Sequence, residues 1–194
     1  GKGAEGRMQV SFSPLPLFPS ARARLRMMAP AAPFADRVSS HSLPGGARSS
    51  QNDLFVLAKS HGQLISIAVE GKVSEPFGDI VSKWMENPSP GRKKRLEFLC
   101  KELGLAETDV SNIRYQLLHR TVSAILEAKK FNASNALMLV HSFSQTDEWF
   151  ENYALFAALF GIDAKIDRIH SASKIGDIQL YLGWVKGDAK YLEK

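Results

Sequence analysis

A carboxylate and an ammonium two residues apart, Glu70 and Lys72, close a mostly apolar run from Leu64 to Val69. Side chains alternate along a strand, so the two charges leave on one face while Gly71 adds no bulk between them. Neither charge is easily buried alone, so their exit from an apolar strand needs a reason. Asp53 opens the preceding apolar run, which continues to Lys59. In a hairpin the start of the first strand lies opposite the end of the second, which brings Asp53 toward Glu70. Two carboxylates converging at one sheet end repel, and a hard divalent cation such as Mg²⁺ resolves the repulsion. A lysine beside them can orient or help deprotonate a metal-bound water and steady developing phosphate charge. These residue types therefore suit metal-assisted phosphodiester hydrolysis. The plainer alternative is a solvated Glu-x-Lys ion pair of little energetic weight.

The elements that must position these groups can be read from residue 46 onward. The two glycines at 45 and 46 form a break, and residues 53–59 and 64–73 then read as consecutive strands joined at His61-Gly62. Residues 77–86 suit a short helix and 92–103 a second one, beyond the Asn87-Pro88-Ser89-Pro90-Gly91 break. A long helix is expected over 108–130, with Thr108 as N-cap and Asp109 in the first turn. Its apolar face is Val110, Ile113, Leu117, Thr121, Ala124 and Ala128. Residues 135–143 read as a buried strand, 145–160 as an aromatic-rich helix stopped by Gly161, and 178–185 as the last strand. That order predicts an α/β (α+β) fold, a central mixed sheet of four to five strands flanked by helices.

Residues 1–45 differ in texture. They hold Pro14, Pro16, Pro19, Pro30, Pro33 and Pro44 of the nine prolines in the chain. No apolar period is sustained there, which predicts an extended arm or leader ahead of a domain at 46–194. The segment also carries Lys2, Arg7, Arg22, Arg24, Arg26 and Arg37 against Glu5 and Asp36. Most of the formal net charge of +5 thus lies in the arm, so composition claims no basic stripe on the folded body. The 194 residues hold no apolar run of transmembrane length, so no membrane partner is expected. A lone cysteine, Cys100, excludes an internal disulfide and suits a reducing, cytoplasmic setting. Its neighbours Leu99 and Leu103 mark it as a buried thiol.

Other residues invite chemistry less strongly. Gln116 and Arg120 are four apart and flank the apolar face of the long helix, with Glu127 on the same edge. His141 and Ser142 lie near the end of the 135–143 strand, where a histidine is more often a bonded core residue than a ligand. His61, His119 and His170 show no metal-ligand spacing. Trp149, Phe150, Tyr153, Phe156 and Phe160 match helical packing rather than a base-stacking platform. Arg92-Lys93-Lys94-Arg95 is the one compact basic cluster, a phosphate contact or a solvated helix start. No phosphate-binding glycine loop, nucleophile elbow, zinc spacing or dinucleotide fingerprint is present.

Asp53 followed by Glu70-Gly71-Lys72 resembles the Asp…(Asp/Glu)-x-Lys signature of the PD-(D/E)XK (restriction-endonuclease-like) nuclease superfamily. The strings from Ser49 to Leu54 and from Ala68 to Gly78 look like an uncharacterised bacterial group within it, over about residues 42–188. The resemblance implies Asp53, Glu70 and the Gly71 carbonyl as ligands of Mg²⁺ or Mn²⁺. It also implies Lys72 as the group positioning the attacking water, Gln116 as a supporting helix residue, and nucleic acid, DNA or RNA, as substrate. Many members carry an acid on a helix before the hairpin, and residues 1–45 offer only Glu5 and Asp36 for that place. The alternative is an inactive nuclease fold serving as a binding or dimerisation module, perhaps better described as a homodimer scaffold. Under it, Glu70→Gln would leave activity untouched and raise stability slightly by relieving carboxylate repulsion.

Overall fold

A computed structural model of the chain describes residues 40–41, 44, 50–51, 53–60 and 62–192. Most of the segment read as an arm lies outside the described residues. In chain order, β1 (Ser40–His41) and β2 (Ser50–Gln51) form a small antiparallel ribbon. The hairpin strands β3 (Leu54–Ser60) and β4 (Gln63–Lys72) follow. Next come the helices α1 (Val81–Trp84), α2 (Pro90–Leu103) and α3 (Tyr115–Lys130). Strand β5 (Asn135–Ser142), helix α4 (Phe150–Ala158) and strands β6 (Arg168–Ile175) and β7 (Ile178–Lys186) complete the set, with a short 3-10 turn at Ala189–Tyr191.

The main sheet has five strands in the order β3-β4-β5-β7-β6. β4, β5 and β7 run parallel, while β3 and β6 are antiparallel edges. The fold class is therefore α+β, a mixed sheet flanked by helices. Ala68, Val140, Leu182 and Trp184 from the sheet pack with Leu117, Leu118, Val122 and Ile125 of α3, and with Leu99, Tyr153 and Phe156. On the opposite face, Ile67, Val69, Leu137, Leu139 and Tyr181 form a second cluster. Alternation along β4 thus assigns Ser66, Ala68, Glu70 and Lys72 to the helix-covered side.

Several boundaries differ from the sequence reading, each for a local reason. The long helix starts at Tyr115 rather than at Thr108. Ile113 and Ser111 give their carbonyls to the N–H groups of Val81 and Ser82 (2.8 and 2.9 Å), and Asp79 O accepts from Tyr115 N (3.0 Å). The backbone that would have formed the first turns is thus committed to residues 79–82. Asp109 caps no helix; its carboxylate accepts from Ser111 N–H at 2.9 Å, in an Asx-type turn. All six residues of the expected apolar face are nevertheless buried. The helix expected over 77–86 shrinks to α1 because Ile80 is extended and bridges Arg114. α4 begins only at Phe150, after Asp147 and Trp149 take left-handed φ values of 57° and 68°. β6 was not expected at all. Cys100 is buried, as are Tyr153 and Phe156, with Trp149, Phe150 and Phe160 packed at the rim of the core.

Candidate functional site

The hairpin register fixes the site. Leu54 lies opposite Val69, so the ladder stops one residue short of Asp53 and Glu70. Asp53, exposed, then turns its carboxylate onto the next residue of the partner strand: Gly71 N–H donates to Asp53 Oδ2 at 2.8 Å. The side chain so extends the ladder in place of a backbone carbonyl. The sequence reading brought Asp53 to this strand end, and the structure makes the contact through the Gly71 amide.

Glu70 and Lys72 are side by side on the helix-covered face, only 3% and 4% exposed, with Lys72 Nζ 2.8 Å from Glu70 Oε1. Arg120, one turn beyond Gln116 on α3, donates its Nε to the other carboxylate oxygen, Oε2. Gln116 Oε1 lies 3.4 Å from Lys72 Nζ. Lys72 also sits 5.1 Å from the ring centroid of the buried Phe77 and 3.7 Å from the exposed Glu75. Burying a carboxylate costs several kcal/mol unless partners answer its lone pairs. Here two cations do so, one on each oxygen. The repulsion expected between Asp53 and Glu70 is thereby countered by Lys72 and Arg120.

The segment after β4 is clamped from α3 and α4. Arg114 donates NH1 to Gly78 O (2.8 Å) and Nε to Asn152 Oδ1 (3.0 Å), and it lies 5.0 Å from the Trp149 ring centroid. Trp149 Nε1 donates to Ser74 O at 2.9 Å. A tryptophan in the left-handed region is strained, and such a residue persists only where its surroundings over-determine it. The indole bond and the guanidinium stack supply that hold. Gly78 has φ 67°, open to glycine at little cost, and packs against the Gln116 side chain. Burial would raise the Glu75 pKa, but N–H groups of its own backbone, Val73 and Ser74, with the Lys72 charge, bring it below the usual value.

The remaining candidates fall elsewhere. His141 pairs in register with Gly71, not with Glu70 or Lys72. It therefore points to the opposite face, against the Phe143 ring at 4.5 Å, and burial lowers its pKa. Ser142 is buried and its Oγ accepts from Ser144 N–H. His119 stacks on Tyr115, and His170 Nε2 accepts from Lys165 N–H at 3.2 Å. His61 lies outside the described residues. In the basic cluster, Arg92 NH1 donates to Trp84 O (3.1 Å) and Arg95 Nε to Pro44 O (3.2 Å), while Lys93 and Lys94 are exposed. Arg120 is the site residue that sequence reasoning undervalued. Its four-residue spacing from Gln116 was the available signal.

Among the described residues no group of three or more His, Cys, Asp or Glu side chains is placed to hold a metal ion. The oxygen donors at the strand ends are two carboxylates, Asp53 and Glu70, with the Gly71 backbone between them. That set fits Mg²⁺, which is commonly held by one or two carboxylates and keeps several waters. No helix among the described residues is long and apolar enough to cross a membrane. No curated protein and no solved structure matches the chain. Residues 39–189 do match one family model, so the hairpin, its two carboxylates and α3 all lie within it, and the chain belongs to the family described as Domain of unknown function (DUF6946).

Proposed function

We propose that the chain is a metal-dependent phosphodiester hydrolase of the PD-(D/E)XK type, acting on DNA or RNA. One observation carries the reading: Asp53, Glu70 and Lys72 converge on the two sides of Gly71, with Lys72 Nζ 2.8 Å from Glu70 and Asp53 bonded to the Gly71 amide. Asp53, Glu70 and the Gly71 carbonyl would hold Mg²⁺ or Mn²⁺. A bound divalent ion supplies Lewis acidity and a more acidic water. Lys72 orients the attacking water and offers positive charge to the phosphate oxygens. Gln116 holds the ammonium in place from α3. The lone, buried Cys100 suits a reducing cytoplasmic setting.

Calorimetric titration of Mg²⁺ and Mn²⁺, beside plasmid and RNA cleavage by wild type and Lys72→Ala, tests this reading. Metal binding with cleavage lost in the variant supports it. A folded wild-type protein that binds neither ion rejects it. A second reading, an inactive nuclease fold serving as a binding or dimerisation module, is favoured by the saturation of both Glu70 oxygens by cations. Under that reading neither ion binds, and Asp53→Asn changes no measured activity.

A further inference from the structure

We propose that Arg120 is a phosphodiester-binding residue that rests on Glu70 until a divalent cation arrives, so that the cation and the phosphodiester are taken up together. The inference builds on the hydrolase reading above and assigns one more side chain to it.

Three observations carry it. First, Glu70 has a cation on each oxygen, Lys72 on Oε1 and Arg120 on Oε2. A divalent ion drawn to this carboxylate meets two like charges, and one of them must yield. Second, the two differ in freedom. Lys72 is 4% exposed and is held by Glu70, Gln116 and the Phe77 ring. Arg120 is 12% exposed and borders solvent, so its guanidinium can swing without opening the core. Third, the charges close only with an anion. Asp53, Glu70 and Glu75 against Lys72 and Arg120 leave one formal negative charge. A divalent cation alone turns that into one positive charge, and a single phosphodiester restores neutrality. A guanidinium released from a carboxylate is suited to that anion, since its planar fork matches phosphate as it matches carboxylate.

The test is calorimetry on the full chain, with Mg²⁺ and Mn²⁺ titrated in the presence and absence of saturating dimethyl phosphate. Wild type, Arg120→Gln and Arg120→Lys are compared, each checked for folding by thermal melting. In wild type, dimethyl phosphate is expected to tighten metal binding about tenfold, a typical coupling between two linked ligands. Arg120→Gln should bind metal alone more tightly than wild type and lose the enhancement. Arg120→Lys, which keeps the charge without the fork, should retain only part of it. Metal binding that is indifferent to dimethyl phosphate in wild type overturns the role of Arg120 and leaves the hydrolase reading standing. So does an enhancement equal in wild type and in both variants. Absence of metal binding in all three folded proteins, with or without dimethyl phosphate, overturns both.

Discussion

The three parallel strands β4, β5 and β7 end in two different ways. At their N-terminal ends the chain is stitched by neutral amides. Asn135 Nδ2 donates to Ser134 Oγ at 3.0 Å and reaches Gln63 Oε1 and Leu64 O at 3.4 Å. Gln179 Nε2 donates to Ser171 Oγ, Ala172 O and Leu180 O at 3.0 to 3.2 Å. At the C-terminal ends the groups are charged: Glu70 with Lys72 on β4, and Lys186 with Asp147 at 2.7 Å on β7. Neutral amides satisfy strand ends at little desolvation cost, whereas buried charges demand partners and repay them only in good geometry. Ligands of open α/β sheets also gather at the carboxyl ends of parallel strands. The amide-stitched end serves stability, and the charged end carries the chemistry.

Breaking the charged end should cost most. Lys72→Ala leaves a buried carboxylate with one cation fewer, a loss of about 3–5 kcal/mol in urea unfolding, with cleavage abolished. Glu70→Gln should cost about 2–3 kcal/mol, because two cations are then left facing a neutral amide. That sign reverses the one expected from carboxylate repulsion alone, since Arg120 turns the pair into a triad. At the neutral end, Asn135→Ala should lower stability by about 1 kcal/mol, the net worth of an ordinary hydrogen bond, and leave cleavage rates unchanged. The smallest effect is electrostatic. Glu75 ionises below its ordinary value of 4.5, so its contribution to stability is present above that pH and is lost as pH falls through the lowered folded value. Glu75 is 55% exposed and screened, so removing it with Glu75→Gln should shift the acid limb of a stability profile by less than about 0.5 kcal/mol.

Much of this contrast was legible in the sequence. Period-two alternation placed Glu70 and Lys72 on one face, and hairpin logic brought Asp53 to the same end. Apolar runs located β3, β4, β5 and β7 to within a residue or two. β6 escaped because it is an edge strand whose side chains are largely exposed or half-buried, with Arg168 and Lys174 among them. Charges that discourage edge pairing also erase the apolar signal. The start of α3 escaped because Val110 and Ile113 keep helical spacing and are buried without being helical. Their neighbours' backbone bonds go to residues 79–82, which are distant in sequence. Arg120 was visible as a flank of α3, but periodicity assigns a face and not a partner. Its contact with Glu70 spans fifty positions of chain and depends on how α3 lies across β4.

The hairpin joining β3 to β4 has only two residues between Ser60 and Gln63, the second of them Gly62 at φ 83°. It acts as a gauge block. The reach of Asp53 to Gly71 is set by how many residues lie between them, not by what those residues are. An insertion of one residue within the paired strands would displace Asp53 by about 3.3 Å, or turn it to the other face. The Glu-Gly-Lys triplet and the overall composition would stay the same, yet the two carboxylates would no longer share a strand end. Among relatives of this chain, hairpin length should therefore separate intact sites from broken ones more sharply than the motif itself.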